Sequence, residues 1–112
     1  MKAIHINPFD QTIKEVDILG NLEDIYVLLG CRTMDAIGID ESNVLYIDDE
    51  GLLKDEQRYF NINGRNLAGK GLLMGFDDEG DTIDTTLQAE DLNITWLPEG
   101  HVEQPFFNIF TF

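Results

Sequence analysis

The chain is short of positive charge: Lys and Arg number seven against 22 Asp and Glu, and neither basic type occurs after Lys70. The last 42 positions carry nine acids, Asp77, Asp78, Glu79, Asp81, Asp84, Glu90, Asp91, Glu99 and Glu103, which supply -9 of a net charge of -15. So few bases form no positive stripe, which makes direct nucleic-acid binding the poorest fit, and an anionic membrane surface would repel the chain. Cysteine is as scarce. Cys31 stands alone, which rules out an internal disulfide and fits a reducing compartment. There is no apolar run of about 18 residues to span a bilayer, and Met1 to His5 enters a strand-like pattern instead of a signal-peptide core. A cytoplasmic protein is expected.

What the chain does have is enough to fold. Its 112 residues fit one domain, 1–112, and 43% are hydrophobic, including seven Phe, three Tyr and one Trp. The high charge is therefore not the low-hydrophobicity signature of a disordered chain.

Local patterning then assigns elements. Lys2 to Asn7 and Thr12 to Ile18 alternate around Asn7-Pro8-Phe9-Asp10, as a hairpin does. Leu22, Ile25, Tyr26, Leu28 and Leu29 follow the helical spacing, with Asn21 as cap, Glu23 and Asp24 in the first turn, and Gly30 as stop. Met34 to Ile39 and Asn43 to Ile47 are strands around the acidic turn Asp40-Glu41-Ser42, and Arg58 to Ile62 leads as a strand to the turn dipeptide Asn63-Gly64. Leu87 to Leu92 has the caps of a second short helix, while Asn93 to Trp96 is equally strand-like. The expectation is an α+β fold. One antiparallel or mixed sheet of five or six short strands carries a helix at about 21–30, with the second helix near 87–92 left open.

Two segments repeat one plan. Val44 to Ile47 and Leu72 to Phe76 are apolar strands, each running into Asp-Asp-Glu-Gly at 48–51 and 77–80. Turn chemistry accounts for the residue types: an Asp side chain supports the turn, and Gly supplies a positive φ at its exit. The repeat spans too few residues to establish a duplication and reads as convergence on a common turn.

Chemistry is harder to find. Nucleophilic catalysis would need Cys31 or a Ser beside a base, and the two His are His5, in a strand, and His101, after Pro98-Glu99-Gly100. The plainer expectation is a buried Cys31 just past a helix end and a His5 that faces solvent or a neighbouring acid. Asp77, Glu79 and Asp81 suggest a hard cation, yet the sixth loop position lacks Gly and the twelfth is Gln88, so no calcium loop is present. One Cys and two distant His lack zinc spacing, and Lys70 lacks the Ser or Thr of a phosphate loop. No catalytic residue, metal or cofactor is assigned.

The element order, the Leu-rich helix ending in Gly, the Asp48-Asp49-Glu50-Gly51-Leu52-Leu53 turn, the Asn63-Gly64-Arg65 segment and the Gly69 to Gly75 strand closing on Asp77-Asp78-Glu79-Gly80 resemble a family of small acidic proteins of uncharacterised function. That family is encoded by bacteriophages, plasmids and bacteria. The resemblance covers about residues 1–86, and 87–112 is an extension. It implies an origin in mobile DNA and expression in a bacterial or phage-infected cytoplasm, and brings no activity with it.

Charge is left as the functional hint. A domain of this length has a radius of gyration near ~13 Å and spans roughly 35 Å, along which duplex DNA carries on the order of 20 charges. The net -15 is of that order. A non-enzymatic acidic protein that engages a basic host protein, as a nucleic-acid mimic or inhibitor, is the leading expectation, with Asp48, Asp49, Glu50, Asp77, Asp78, Glu79, Asp81 and Asp84 as the partner-binding acids. The alternatives are an accessory protein whose acids serve solubility alone, and a weak divalent-cation binder or cation-dependent enzyme. The aromatic tail, Phe106, Phe107, Ile109, Phe110 and Phe112, either fills the core as a last strand or adds at a sheet edge as a self-association or partner strand, a homodimer by tail exchange being one form.

Overall fold

A computed structural model describes residues 1–48 and 57–101. Its first hairpin joins β1 (Lys2–Asn7) to β2 (Thr12–Asp17), with Asn7 Oδ1 accepting from Phe9 N at 3.0 Å in the turn. Helix α1 (Leu22–Leu29) starts where Asn21 Oδ1 accepts from Asp24 N at 2.8 Å. It stops at Gly30, whose φ of 65° turns its amide back to Val27 O. Eight residues are too few to hold a helix in water, so packing holds it. Ile25 and Leu29 are buried and contribute about 1.5–3 kcal/mol each.

Strands β3 (Met34–Gly38), β4 (Asn43–Asp48), β5 (Tyr59–Ile62), β6 (Arg65–Ala68), β7 (Gly71–Phe76), β8 (Thr82–Ile83) and β9 (Ile94–Trp96) complete two antiparallel sheets. The large one has the order β2-β1-β7-β4-β3, with β8 added to β7, and the small one has the order β6-β5-β9. This is the expected α+β fold, a six-stranded sheet carrying a single α-helix among the described residues, with a three-stranded sheet besides. In place of a second α-helix near 87–92 there is one 3-10 turn, Ala89–Asp91. The chain then joins β5, Phe60 opposite Trp96, and that pairing overrides the capping signal.

The large sheet is covered on both faces, and the strand alternation sorts the side chains. Ala3, Leu72 and Met74 meet Ile25 and Leu29 of α1 in one cluster. Ile4, Ile6, Leu45 and Leu73 point the other way and pack with Phe60, Ile62 and Leu67 of the small sheet. Strand β7 is buried over Gly71–Gly75, as the middle strand of a three-layer stack must be. No helix among the described residues is long and apolar enough to cross a membrane.

One buried polar side chain sits where these layers meet the following chain. Asn43 is 0% exposed, and its Oδ1 accepts from Thr85 Oγ1 at 2.6 Å and Thr86 N at 3.3 Å. Its Nδ2 donates to Thr86 Oγ1 and to both carboxylate oxygens of Asp40. Asn43 thereby fastens the segment after β8 to the start of β4.

Candidate functional site

Strand register gathers the acids. Because β7 runs antiparallel to β4, Gly75 lies opposite Asn43, and the end of β7 adjoins the turn between β3 and β4. The two turns are joined by Phe76 N donating to Ser42 O at 2.9 Å. One holds Asp40 and Glu41, the other Asp77, Asp78, Glu79 and Asp81. Strand β1 also runs antiparallel to β7, so its Lys2 end, and Asp17 opposite Lys2 on β2, reach this same end of the sheet. Asp84 completes the row, its Oδ1 accepting from Lys2 N at 3.1 Å.

Within this row the acids divide by occupation. Asp77 is used by its turn, where Oδ1 accepts from Glu79 N at 2.9 Å and Asp81 N at 3.0 Å and Gly80 takes a φ of 84°. Asp40 is likewise used: the Ser42 amide first, and then the Asn43 side chain and amide, hold its carboxyl below the usual carboxylate range. Asp17 takes a hydrogen bond of 2.6 Å from the Met1 ammonium, which lowers its own pKa and raises that of the amine. Glu41, Asp78, Glu79 and Asp81 are exposed, and their carboxylates make no hydrogen bond or ion pair among the described residues. Turn geometry accounts for the first group and leaves the second unexplained.

The row runs from β2 to β3, four strand spacings, or about 19 Å at ~4.8 Å each. Among the described residues its cations are Lys2 and the Met1 ammonium. Arg32, Lys14 and Lys70 lie toward the opposite end: Arg32 two residues before Met34, which faces Asp48; Lys14 opposite His5; and Lys70 just before Gly71, which faces Ile47. The large sheet is thus polarised along its strands, acidic where β7 ends and mixed where it begins.

Of the sequence-predicted acids, Asp77, Asp78, Glu79, Asp81 and Asp84 come together. Asp48 does not join them. It closes β4 at the opposite end and is only 7% exposed, so its carboxylate faces inward. Asp49 and Glu50 lie outside the described residues, as do Phe106, Phe107, Ile109, Phe110 and Phe112 of the tail. Asp17, Asp40 and Glu41 join the row although they are not among the acids expected to bind a partner. The acidic turn marks Asp40 and Glu41 locally, but that they and Asp17 share an end with Asp77 to Asp84 follows from which strands pair.

The groups weighed for catalysis stay apart. The His5 ring packs on the α1 side, Nε2 donating to Leu28 O at 2.9 Å, in place of the solvent or acid expected for it. Burial lowers its pKa, the Leu28 carbonyl opposing and Lys70 assisting. Cys31 is half-buried against the α1 cluster, and His101 meets Tyr59 edge to face at 4.9 Å. Among the described residues no three His, Cys, Asp or Glu converge closely enough to hold a metal ion.

Comparison with known proteins adds relatives. A family model described as "Domain of unknown function (DUF3846)" matches residues 1–96, through β9 and beyond the 1–86 covered by the resemblance read from sequence. The "Uncharacterized protein y4iR" of Sinorhizobium fredii (strain NBRC 101917 / NGR234) is 33% identical over 84 residues, which is 72% of this chain and 51% of that protein. The chain spans about half the length of this curated relative. No solved structure matches.

Proposed function

The chain belongs to the DUF3846 family, of unknown function, and from that premise we propose that it is a non-enzymatic binding protein whose acidic sheet end engages a basic protein surface in place of nucleic acid. The observation that carries this reading is the row of Glu41, Asp78, Glu79 and Asp81, exposed carboxylates that no turn or ion pair requires. Along about 19 Å of axis a duplex presents on the order of 11 charges. Eight acids, Asp17, Asp40, Glu41, Asp77, Asp78, Glu79, Asp81 and Asp84, stand in the row over that distance. A mobile-DNA origin, where small inhibitors of host proteins are at home, belongs to the same proposal.

Asp40 and Asp77 support the competing view that acids are present because turns need them. The two views part on a fourfold variant, Glu41→Gln, Asp78→Asn, Glu79→Gln and Asp81→Asn, which leaves every turn hydrogen bond in place. The wild-type chain, immobilised, should retain basic proteins from a bacterial lysate and release them to salt or to added duplex DNA. The variant should retain far less. Equal retention by both forms, or no release by duplex, would defeat the proposal.

A further inference from the structure

The acidic row ends at β2 in a groove that turn chemistry does not explain. It is open, about 500 Å³ in volume, and lies between α1 and the segment that follows β2, with Leu19, Val27 and Leu28 as its apolar walls and Asp17 and Asp24 at its rim. Leu19 is 81% exposed and Val27 79%, the two most exposed large apolar side chains among the described residues. Asp24, Val27 and Leu28 stand at i, i+3 and i+4, one stripe of the helix beside the buried stripe of Ile25 and Leu29.

Leu19 is not exposed by looseness. Its amide donates to Asp24 Oδ2 at 2.9 Å, and Ile18 is tied on both sides, its amide to Met1 O and its carbonyl to the Met1 ammonium, each at 2.9 Å. A fixed backbone thus presents an apolar side chain to water, which costs free energy unless something covers it. A second depression of about 330 Å³ adjoins the first, sharing Met1 and Asp17 and adding Asp84 together with the Lys2–Glu15 ion pair and Val16. Apolar walls therefore lead into a net acidic surface: the Met1 ammonium is committed to Asp17 and Lys2 to Glu15, which leaves Asp24 and Asp84 in excess.

We infer that this groove docks a short segment of a partner protein in which an apolar side chain sits between Leu19 and Val27 and an adjacent Lys or Arg reaches Asp84, beside the Met1–Asp17 pair. The inference rests on the acidic-row reading and names the chemistry of the partner: basic with an apolar anchor, a demand that a purely electrostatic mimic would not make. Charge complementarity selects this occupant, since a second copy of the chain would bring acids against acids. The apolar anchor supplies residence time while the row steers encounter.

The test uses two fluorescent synthetic peptides of equal charge, one pairing Leu with Lys along its length and one with every Leu replaced by Ser, and reads anisotropy. Three proteins are compared: wild type, a groove variant Leu19→Ser/Val27→Ser, and the fourfold row variant above. Both groove residues are exposed, so the variant should keep the wild-type far-ultraviolet circular dichroism. Wild type should bind the Leu-Lys peptide about tenfold or more tighter than the Ser-Lys peptide, and the groove variant should lose that preference. Methyl resonances of Leu19, Val27 and Leu28 should shift on binding. Unchanged preference in the groove variant, shifts confined to other methyls, or no binding of the Leu-Lys peptide overturns the groove. If the row variant binds both peptides as wild type does while the groove variant loses the preference, the acidic-row reading falls and the groove stands.

Discussion

Replacing Asn43 by Ala should destabilise the fold by about 2–4 kcal/mol, a figure that follows from what its side chain leaves behind. Asn43 is fully buried and serves Asp40, Thr85 and Thr86 at once. With Ala in its place the Thr85 hydroxyl, itself buried, loses its acceptor, and the Thr86 amide loses another. A buried unsatisfied group costs roughly 1–3 kcal/mol, whereas the exposed Asp40 carboxylate and Thr86 hydroxyl recover water and add little. Against a total stability of about 5–15 kcal/mol the loss is large. Urea titration followed by Trp96 fluorescence measures it: with a slope of about 1.5–2 kcal/mol/M the midpoint should fall by roughly 1–2.5 M. The double variant with Thr85→Val should cost less than the two changes summed, because the second removes the group that the first orphans. Asp40 should titrate closer to its ordinary range in Asn43→Ala, while the Ser42 amide keeps it from returning fully. A midpoint within about 0.3 M of wild type at unchanged slope, or strict additivity with Thr85→Val, would refute the reasoning.

Other expectations follow from packing and titration. Gly71→Ala should cost about 1–3 kcal/mol, because the new Cβ would stand 3.0 Å from Phe60 Cζ and 3.1 Å from Leu45 Cδ1 in a filled core; an unchanged thermal midpoint would contradict it. His5, whose folded pKa lies below 6.5, binds fewer protons folded than unfolded, so its contribution is full above 6.5 and is lost as pH falls toward the folded value. Denaturation midpoints measured between about pH 5 and pH 7.5 should rise with pH in wild type and rise less in His5→Gln. The Met1 amine, raised above 8.0 chiefly by its hydrogen bond with Asp17, contributes fully below 8.0 and less as pH climbs through its folded value. An amine-directed acylating reagent at about pH 8 should therefore modify Met1 more slowly in wild type than in Asp17→Asn, and equal rates would remove the pair's importance.

Local chemistry was readable from the residues, and long-range pairing was not. Asn21 and Gly30 mark the helix ends they form, and Asp77 with Gly80 builds the turn expected of it, because caps and turns are made by side chains within a few positions of one another. The apolar run Leu72 to Phe76 identifies a strand, but nothing in it states that β1 and β4 flank it on either side. The acidic row depends on that choice. Asp48 and Asp77 occupy equivalent places in two similar local motifs, yet antiparallel pairing of β4 and β7 sends them to opposite ends, one buried and one in the row. Leu87 to Leu92 has the caps of a second helix. The turn, capped by Gln88 with Asp91, is only three residues long, because Ile94–Trp96 finds a partner strand in β5.

The place of β7 between β1 and β4 also orders events during synthesis. Two hairpins, β1–β2 and β3–β4, are complete long before residue 71 leaves the ribosome, and neither has a bond to the other without β7. At ~5–20 residues per second they wait some seconds with an apolar edge open on each. Until β7 arrives the nascent chain has two exposed strand edges and an uncovered helix-binding face, and when it arrives both edges close in one step. A folding domain of this kind is most exposed to mispairing and proteolysis at mid-length.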